Sequence, residues 1–178
     1  VSKAVSSSVS VEFDGRMLTA SPTDINDVDI AMLKDQIHLI EGKGMAVVNT
    51  KATTIPVDII TANGVQEVSF EHNNMKELPE AAVMASLNLK ELSIKGNPVS
   101  DVSALAGCTT IESLDISGTE VYDLAPIAEM QGLQKVMIDN LPISAPQLEV
   151  FREKHENLDI IATEVRPAES PLPILGTV

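Results

Sequence analysis

At 178 residues and 44% apolar composition, the chain is long enough for a continuous core and too apolar for wholesale disorder. Aromatic residues make up only 2%, with no Trp, so the core has to be aliphatic and built in thin layers. A formal charge of −14 argues against nucleic acid and anionic membranes as partners, because both need clustered Lys or Arg, and the single Cys108 rules out an internal disulfide and four-Cys metal sites. Acidity of this size serves solubility first, with attraction to a basic partner as the sharper reading. No stretch approaches the ~18 consecutive apolar residues of a membrane span. No signal peptide is visible, and the chain opens on Val1 rather than Met, so a leader processed off earlier would not be seen.

Residues 1–8 are Ser-rich and read as an N-terminal arm. Val9-Ser-Val11-Glu-Phe13 and Arg16-Met17-Leu18-Thr19 alternate on either side of Asp14-Gly15, which predicts a hairpin. Ser21-Pro22-Thr23-Asp24 resembles a helix start, and Ile30, Leu33, Ile37 and Ile40 give the apolar spacing of a helix over part of 25–40. Gly42 and Gly44 break it, and Met45 to Asn49 reads as a strand. A step of 22 residues back from Val65 puts Ala46 and Val48 on inward strand positions and Ile59 and Ala62 on later core positions, as a degenerate first repeat. Residues 9–64 are therefore expected to be an N-terminal cap.

From Val65 a phrase recurs four times: Val65-x-x-Val68-x-Phe70, Leu89-x-x-Leu92-x-Ile94, Ile111-x-x-Leu114-x-Ile116 and Leu133-x-x-Val136-x-Ile138. The first step is 24 residues and the next two are 22. A fixed period of this length is the sign of a stacked solenoid. In each phrase the fourth and sixth positions face one side of a short strand, and four such strands side by side make a parallel sheet with its aliphatic residues inward. Asn73 and Asn97 follow three residues after two of these strands, where an amide can satisfy backbone groups of adjacent turns; Thr119 and Leu141 stand at the same place later. The second halves also match, with Val99, Val102, Leu105 and Cys108 answered by Val121, Leu124, Ile127 and Met130, which makes Cys108 a buried apolar residue. Ser144-Ala-Pro-Gln147 carries a capping box and predicts a helix over about 145–156, with Leu158-Asp-Ile160-Ile161 as a closing strand. Residues 65–162 form the solenoid with its C-terminal cap, and residues 163–178, rich in proline, read as an extended tail.

On these residues the stretch 89–143 resembles leucine-rich repeats of the 22-residue kind seen in bacterial internalin-like and SDS22-like proteins. Leu89, Leu92, Ile94, Asn97, Val99, Asp101, Val102, Leu105 and Cys108 fill one repeat, and Ile111, Leu114, Ile116, Val121, Asp123, Leu124, Ile127 and Met130 the next. Thr119 in place of Asn, the longer first repeat and the small number of repeats depart from the pattern. The resemblance implies an α/β-type solenoid, a short right-handed superhelix with one parallel strand per repeat, that binds proteins and has no enzymatic activity.

On the concave face the resemblance implies three candidate binding columns: Glu67, Glu91, Ser113, Lys135; Ser69, Ser93, Asp115, Met137; and Glu71, Lys95, Ser117, Asp139. They hold no aromatic anchor, so the hairpin, the convex edge and the terminal tails compete with them as the partner surface. No catalytic constellation, cofactor motif or metal site is expected. His38, His72 and His155 lack ligand spacing, and Asp24-Ile-Asn-Asp27-Val-Asp29 lacks the central Gly and register of a calcium loop, which leaves it as an acidic helix start. The functional expectation is a non-catalytic protein-interaction module. The alternative is a structural subunit of a larger assembly, such as a virion decoration or appendage protein, held to copies of itself or other subunits through its terminal arms. The compartment stays open between extracellular, virion and cytoplasmic.

Overall fold

A computed structural model describes residues 2–6, 9–13, 17–21, 24–33 and 44–163. Among the described residues, nine strands form one sheet in the order in which they occur along the chain. Strands β1 (Ser2–Ser6), β2 (Val9–Phe13) and β3 (Met17–Ser21) pair antiparallel. From β3 onward every pair is parallel, through β4 (Gly44–Val47), β5 (Glu67–Ser69), β6 (Glu91–Ser93), β7 (Ser113–Asp115), β8 (Lys135–Met137) and β9 (Asp159–Ile161). Short helices return the chain between strands: α1 (Asp27–Met32), α2 (Val57–Asn63), α3 (Ala81–Ser86), a 3-10 turn at Ser103–Leu105, α4 (Ala125–Ala128) and α5 (Ala145–Lys154).

The inward residues of the repeats form one aliphatic core. Val68, Leu92, Leu114 and Val136 stack in register, and Phe70, Ile94, Ile116 and Ile138 behind them are fully buried. The return segments close the other side, with Val99, Val102, Leu105 and Cys108 above Val121, Leu124, Ile127 and Met130. Cys108 is buried as expected, and its burial pushes the thiol pKa up. The three-residue strands understate the pairing. Backbone bonds continue on both sides, as in Glu112 N–H to Lys90 O (2.8 Å) before β7 and Gly96 N–H to Ser117 O (2.9 Å) after β6.

Each coil leaves its strand through one left-handed residue two places after the last inward side chain. These are Asn49, His72, Gly96, Gly118 and Asn140, with φ between 53° and 71°. Glycine adopts this conformation freely, and asparagine and histidine more often than most side chains; the His72 ring lies over Gly96, where an added Cβ would meet Nδ1 at 2.2 Å.

One place further on is the polar column Thr50, Asn73, Asn97 and Thr119, all buried, ending in the apolar Leu141. Asn73 donates to Val47 O (2.7 Å) and accepts from Thr50 N (2.9 Å) and Thr50 Oγ1 (2.7 Å). Asn97 donates to Phe70 O (2.6 Å) and Ile94 O (2.9 Å) and accepts from Met75 N (3.1 Å). Thr119 Oγ1 donates to Ile116 O at 2.8 Å within its own coil. The expected asparagine ladder is real and reaches one coil further toward the N-terminus, through Thr50.

Four expectations change. Ser2–Ser6, read as part of an arm, is the edge strand of the sheet, its backbone paired to β2. The hairpin is present in the pairing of Phe13 with Leu18, while its turn, residues 14–16, lies outside the described residues. The first helix is capped by Asn26 rather than by the Ser21–Asp24 stretch. Asn26 Oδ1 accepts from Val28 N and Asp29 N, and Asp29 returns a bond to Asn26 N. Its described part ends at Leu33, and residues 34–43 lie outside the described residues. The first coil is also offset by one residue. Met45 aligns with Val68, a step of 23, so Met45 and Val47 face inward and Ala46 lies in the Ser69 column. A one-residue slip exchanges the two faces of a strand. Ala62 is exposed and Ile60 takes the buried place beside Ile59. The C-terminal cap follows expectation: Ser144 and Gln147 close a capping box on α5, Pro146 sits in its first turn, and the helix ends at Lys154.

The aspartates of the return segments serve as turn caps. Asp101 Oδ1 accepts from Ser103 N at 2.8 Å, and Asp123 Oδ1 from Ala125 N at 2.9 Å. Bonds from the Ser103 backbone, and then its hydroxyl, hold the Asp101 carboxyl below its usual pKa. A depressed folded-state pKa adds stability above the unfolded value, lost as pH falls through the folded one. Thermal melting of Asp101→Asn should therefore fall below wild type at neutral pH and converge with it in acid. A gap that stays constant with pH would contradict this.

Candidate binding face

The strand register builds the three columns. Glu67, Glu91, Ser113 and Lys135 are paired neighbours, as are Ser69, Ser93, Asp115 and Met137. The third column forms just beyond the strands, tied by His72 N–H to Lys95 O, Gly96 N–H to Ser117 O and Gly118 N–H to Asp139 O. The twelve residues expected as three columns thus lie in register on adjacent coils. The columns are longer than expected, because β3 and β4 add Met17, Thr19, Gly44 and Ala46, and β9 adds Asp159 and Ile161. The signal for β4 was present: Met45-x-Val47-x-x-Thr50 fits the same template as Leu92-x-Ile94-x-x-Asn97.

The twelve are not equivalent. Ser117 is buried, its Oγ accepting from Asp139 N at 3.1 Å, which takes it out of the exposed set. The Asp139 carboxylate is occupied by the backbone and hydroxyl of Thr163. Glu71 Oε1 accepts from Ser93 Oγ at 2.7 Å, and Asp115 Oδ1 from Ser117 N at 2.9 Å, so each of these carboxylates is oriented by one oxygen. Among the described residues, no side-chain hydrogen bond engages Glu91, Lys95, Ser113 or Lys135, and Glu91 and Lys95 are exposed. A shallow depression of about 210 Å³ lies over β5–β7, lined by Glu67, Glu91, Ser93 and Asp115 and flanked by Met17 and Met137.

A second concavity lies on the opposite side, between α4 and α5. About 380 Å³ in volume, it is lined by Leu124, Ala125, Ala128, Val150 and Phe151, with Val150 half exposed. His72 is exposed, His155 packs its ring 4.8 Å from Phe151, and His38 lies outside the described residues. Among the described residues no group of His, Cys, Asp and Glu is arranged to hold a metal ion, and no helix is long and apolar enough to cross a membrane. Asp27, considered as part of a calcium loop, holds the first helix to the first coil instead, accepting from Thr53 N (2.9 Å) and Thr53 Oγ1 (2.5 Å).

One strand per coil, a stacked aliphatic core, an asparagine column and short helices on the return side define a leucine-rich-repeat solenoid. Solved structures agree. An internalin (InlF) from Listeria monocytogenes superposes on 86% of this chain with a TM-score of 0.62 at 16% identity, and this chain covers 44% of it. Internalin C2 (InlC2) from the same organism superposes on 86% of this chain, and on 74% of its own, with a TM-score of 0.50 at 15% identity. The chain spans less than half the length of the first of these proteins. No protein-family model matches the sequence, and no curated protein does. At such identities the likeness establishes the fold alone.

Proposed function

We propose that the chain is a non-catalytic protein-interaction module whose partner docks on the solvent face of the sheet. One observation carries this reading: parallel strands line up columns of polar side chains, several of which make no hydrogen bond within the described chain. Exposed polar groups left unbonded can bond to a partner without first breaking internal bonds, while the rigid stack beneath keeps the ordering cost of binding low. The alternative, a subunit held to an assembly through its two terminal arms, loses one support, since Ser2–Ser6 is bonded into the sheet.

Selection of a displayed peptide library on the immobilised chain tests the module. Selected clones should bind the Ser113→Tyr variant about tenfold more weakly than wild type, a change of ~1.4 kcal/mol, and bind Ser100→Tyr on the return side almost as well as wild type. Clones indifferent to Ser113→Tyr would overturn docking on this face.

A further inference from the structure

We infer that the groove between α4 and α5 is the seat of the chain's own C-terminal segment, which docks there through Leu172, Pro173, Ile174 and Leu175. The walls of the groove are apolar, with Ala125 and Ala128 on the α4 side and Val150 and Phe151 on the α5 side. Val150 is 50% exposed. Tyr122, 63% exposed, stands at the mouth, its carbonyl accepting from Gln147 Nε2 at 3.3 Å. The imidazole of His155 lies 4.8 Å from the Phe151 ring, so three rings gather here in a chain with only three Phe and one Tyr. Grooves lined by rings suit proline-rich chains, which are extended beforehand and lose little freedom on docking.

The sequence beyond Thr163, the last described residue, does not read as another coil. In two successive repeats the core positions fall at the same four steps after the strand: Val99, Val102, Leu105 and Cys108 after Ser93, and Val121, Leu124, Ile127 and Met130 after Asp115. The same steps from Ile161 reach Pro167, Ser170, Pro173 and Gly176, none of them aliphatic. Leu172, Ile174 and Leu175 therefore have no place in a stacked core, although they belong to a run, 170–178, without a charged side chain. Pro171 and Pro173 also lack the N–H that a further strand would donate.

Chain length brings these residues to the groove. Return segments begin eight to ten residues after the strand, as from Ser93 to Ser103, Asp115 to Ala125 and Met137 to Ala145. The same interval from Ile161 brings residues 169–171 to the return side next to α5. About three more extended residues, ~10 Å, cross the width of a helix and place Leu172 to Leu175 over the groove. The apolar groove between α1 and α2 lies four coils further, ~19 Å at the sheet, and these residues come too early in the segment to reach it. A seated segment also withdraws the C-terminal arm from attachment to other subunits.

A nitroxide carried on Ser170→Cys in the full chain tests the seat, read by broadening of amide signals in an isotopically enriched sample; Cys108 is buried and out of reach of the label. Signals of Ala128 and Val150 should broaden, while those of Ser113 on the sheet face and Ile30 on α1 should not. A lysine in an apolar groove opposes docking by more than about 1 kcal/mol, so Val150→Lys should reduce the broadening about fivefold or more. Ile174→Asp, which leaves every described residue intact, should do the same, and Val28→Lys, equally exposed but on α1, should change nothing. Absence of broadening at Ala128 and Val150, its appearance on the sheet face, or its persistence in Ile174→Asp would overturn the inference. So would broadening in an enriched, unlabelled chain mixed with a spin-labelled one, which would give the groove to the segment of a second copy.

Discussion

Replacing Asn97 with leucine should destabilise the chain by about 3 kcal/mol or more, measured by urea unfolding. Asn97 is 1% exposed and serves three backbone groups: the carbonyls of Phe70 and Ile94 and the amide of Met75. Leaving a buried polar group without its partner costs about 1–3 kcal/mol each, and the greater apolar volume of leucine offsets only part of three such losses. Leu141 shows that leucine fits the position itself. It stands in the last coil of the column, where the chain turns into the α5 cap. Asn97→Thr should fall in between, since a threonine hydroxyl can reach the carbonyl three residues back, as Thr119 reaches Ile116. A loss under about 1 kcal/mol for Asn97→Leu would mean that the ladder contributes little.

Gly132→Ala is expected to be almost as damaging, at about 2–3 kcal/mol, by the overpacking of a close-packed site. A Cβ on Gly132 would lie 2.2 Å from the carbonyl oxygen of Thr109 in the preceding coil. That obstacle is backbone, so the two coils have to move apart at the point where they stack. Gly107→Ala makes the control. Nothing lies within 4 Å of its added Cβ, and the stiffer unfolded chain should leave stability unchanged or slightly raised, by about 0.5 kcal/mol. Similar losses for the two substitutions would show that coil spacing is not what Gly132 protects.

What could be read from the residues depended on how strictly burial is periodic. Coils β5 to β8 could be placed residue by residue because each inward position has to match its neighbour in size and polarity, and the capping box at Ser144 and Gln147 is a local signal that needs no tertiary context. The first coil slipped by one residue because its step to β5 is 23, while the spacing was extrapolated at 22. Strand β1 was missed because its Ser-rich sequence carries no apolar alternation, and an edge strand is held by backbone pairing to a single partner. On the binding face, alternation put Ser117 among the outward residues, yet it is buried. Its burial follows from the hydrogen bond to Asp139 in the next coil, which no single repeat encodes. Met17 belongs to no repeat, and only the pairing of β3 with β4 brings it to the depression.

The antiparallel strands also bear on what the N-terminal edge of the sheet presents to a neighbouring molecule. A solenoid strand offers its outer edge as a template for any strand running the same way, which is the geometry of end-to-end polymerisation. Here the outer edge of β3 is already taken by β2, which runs in the opposite direction. The strand exposed at that edge is β1, which pairs antiparallel with β2 and so runs in the same direction as the coils, and its outer edge is the one a further strand would meet. Turning the chain back twice, between β1 and β2 and between β2 and β3, sets two strands that belong to no repeat between the first coil and that edge.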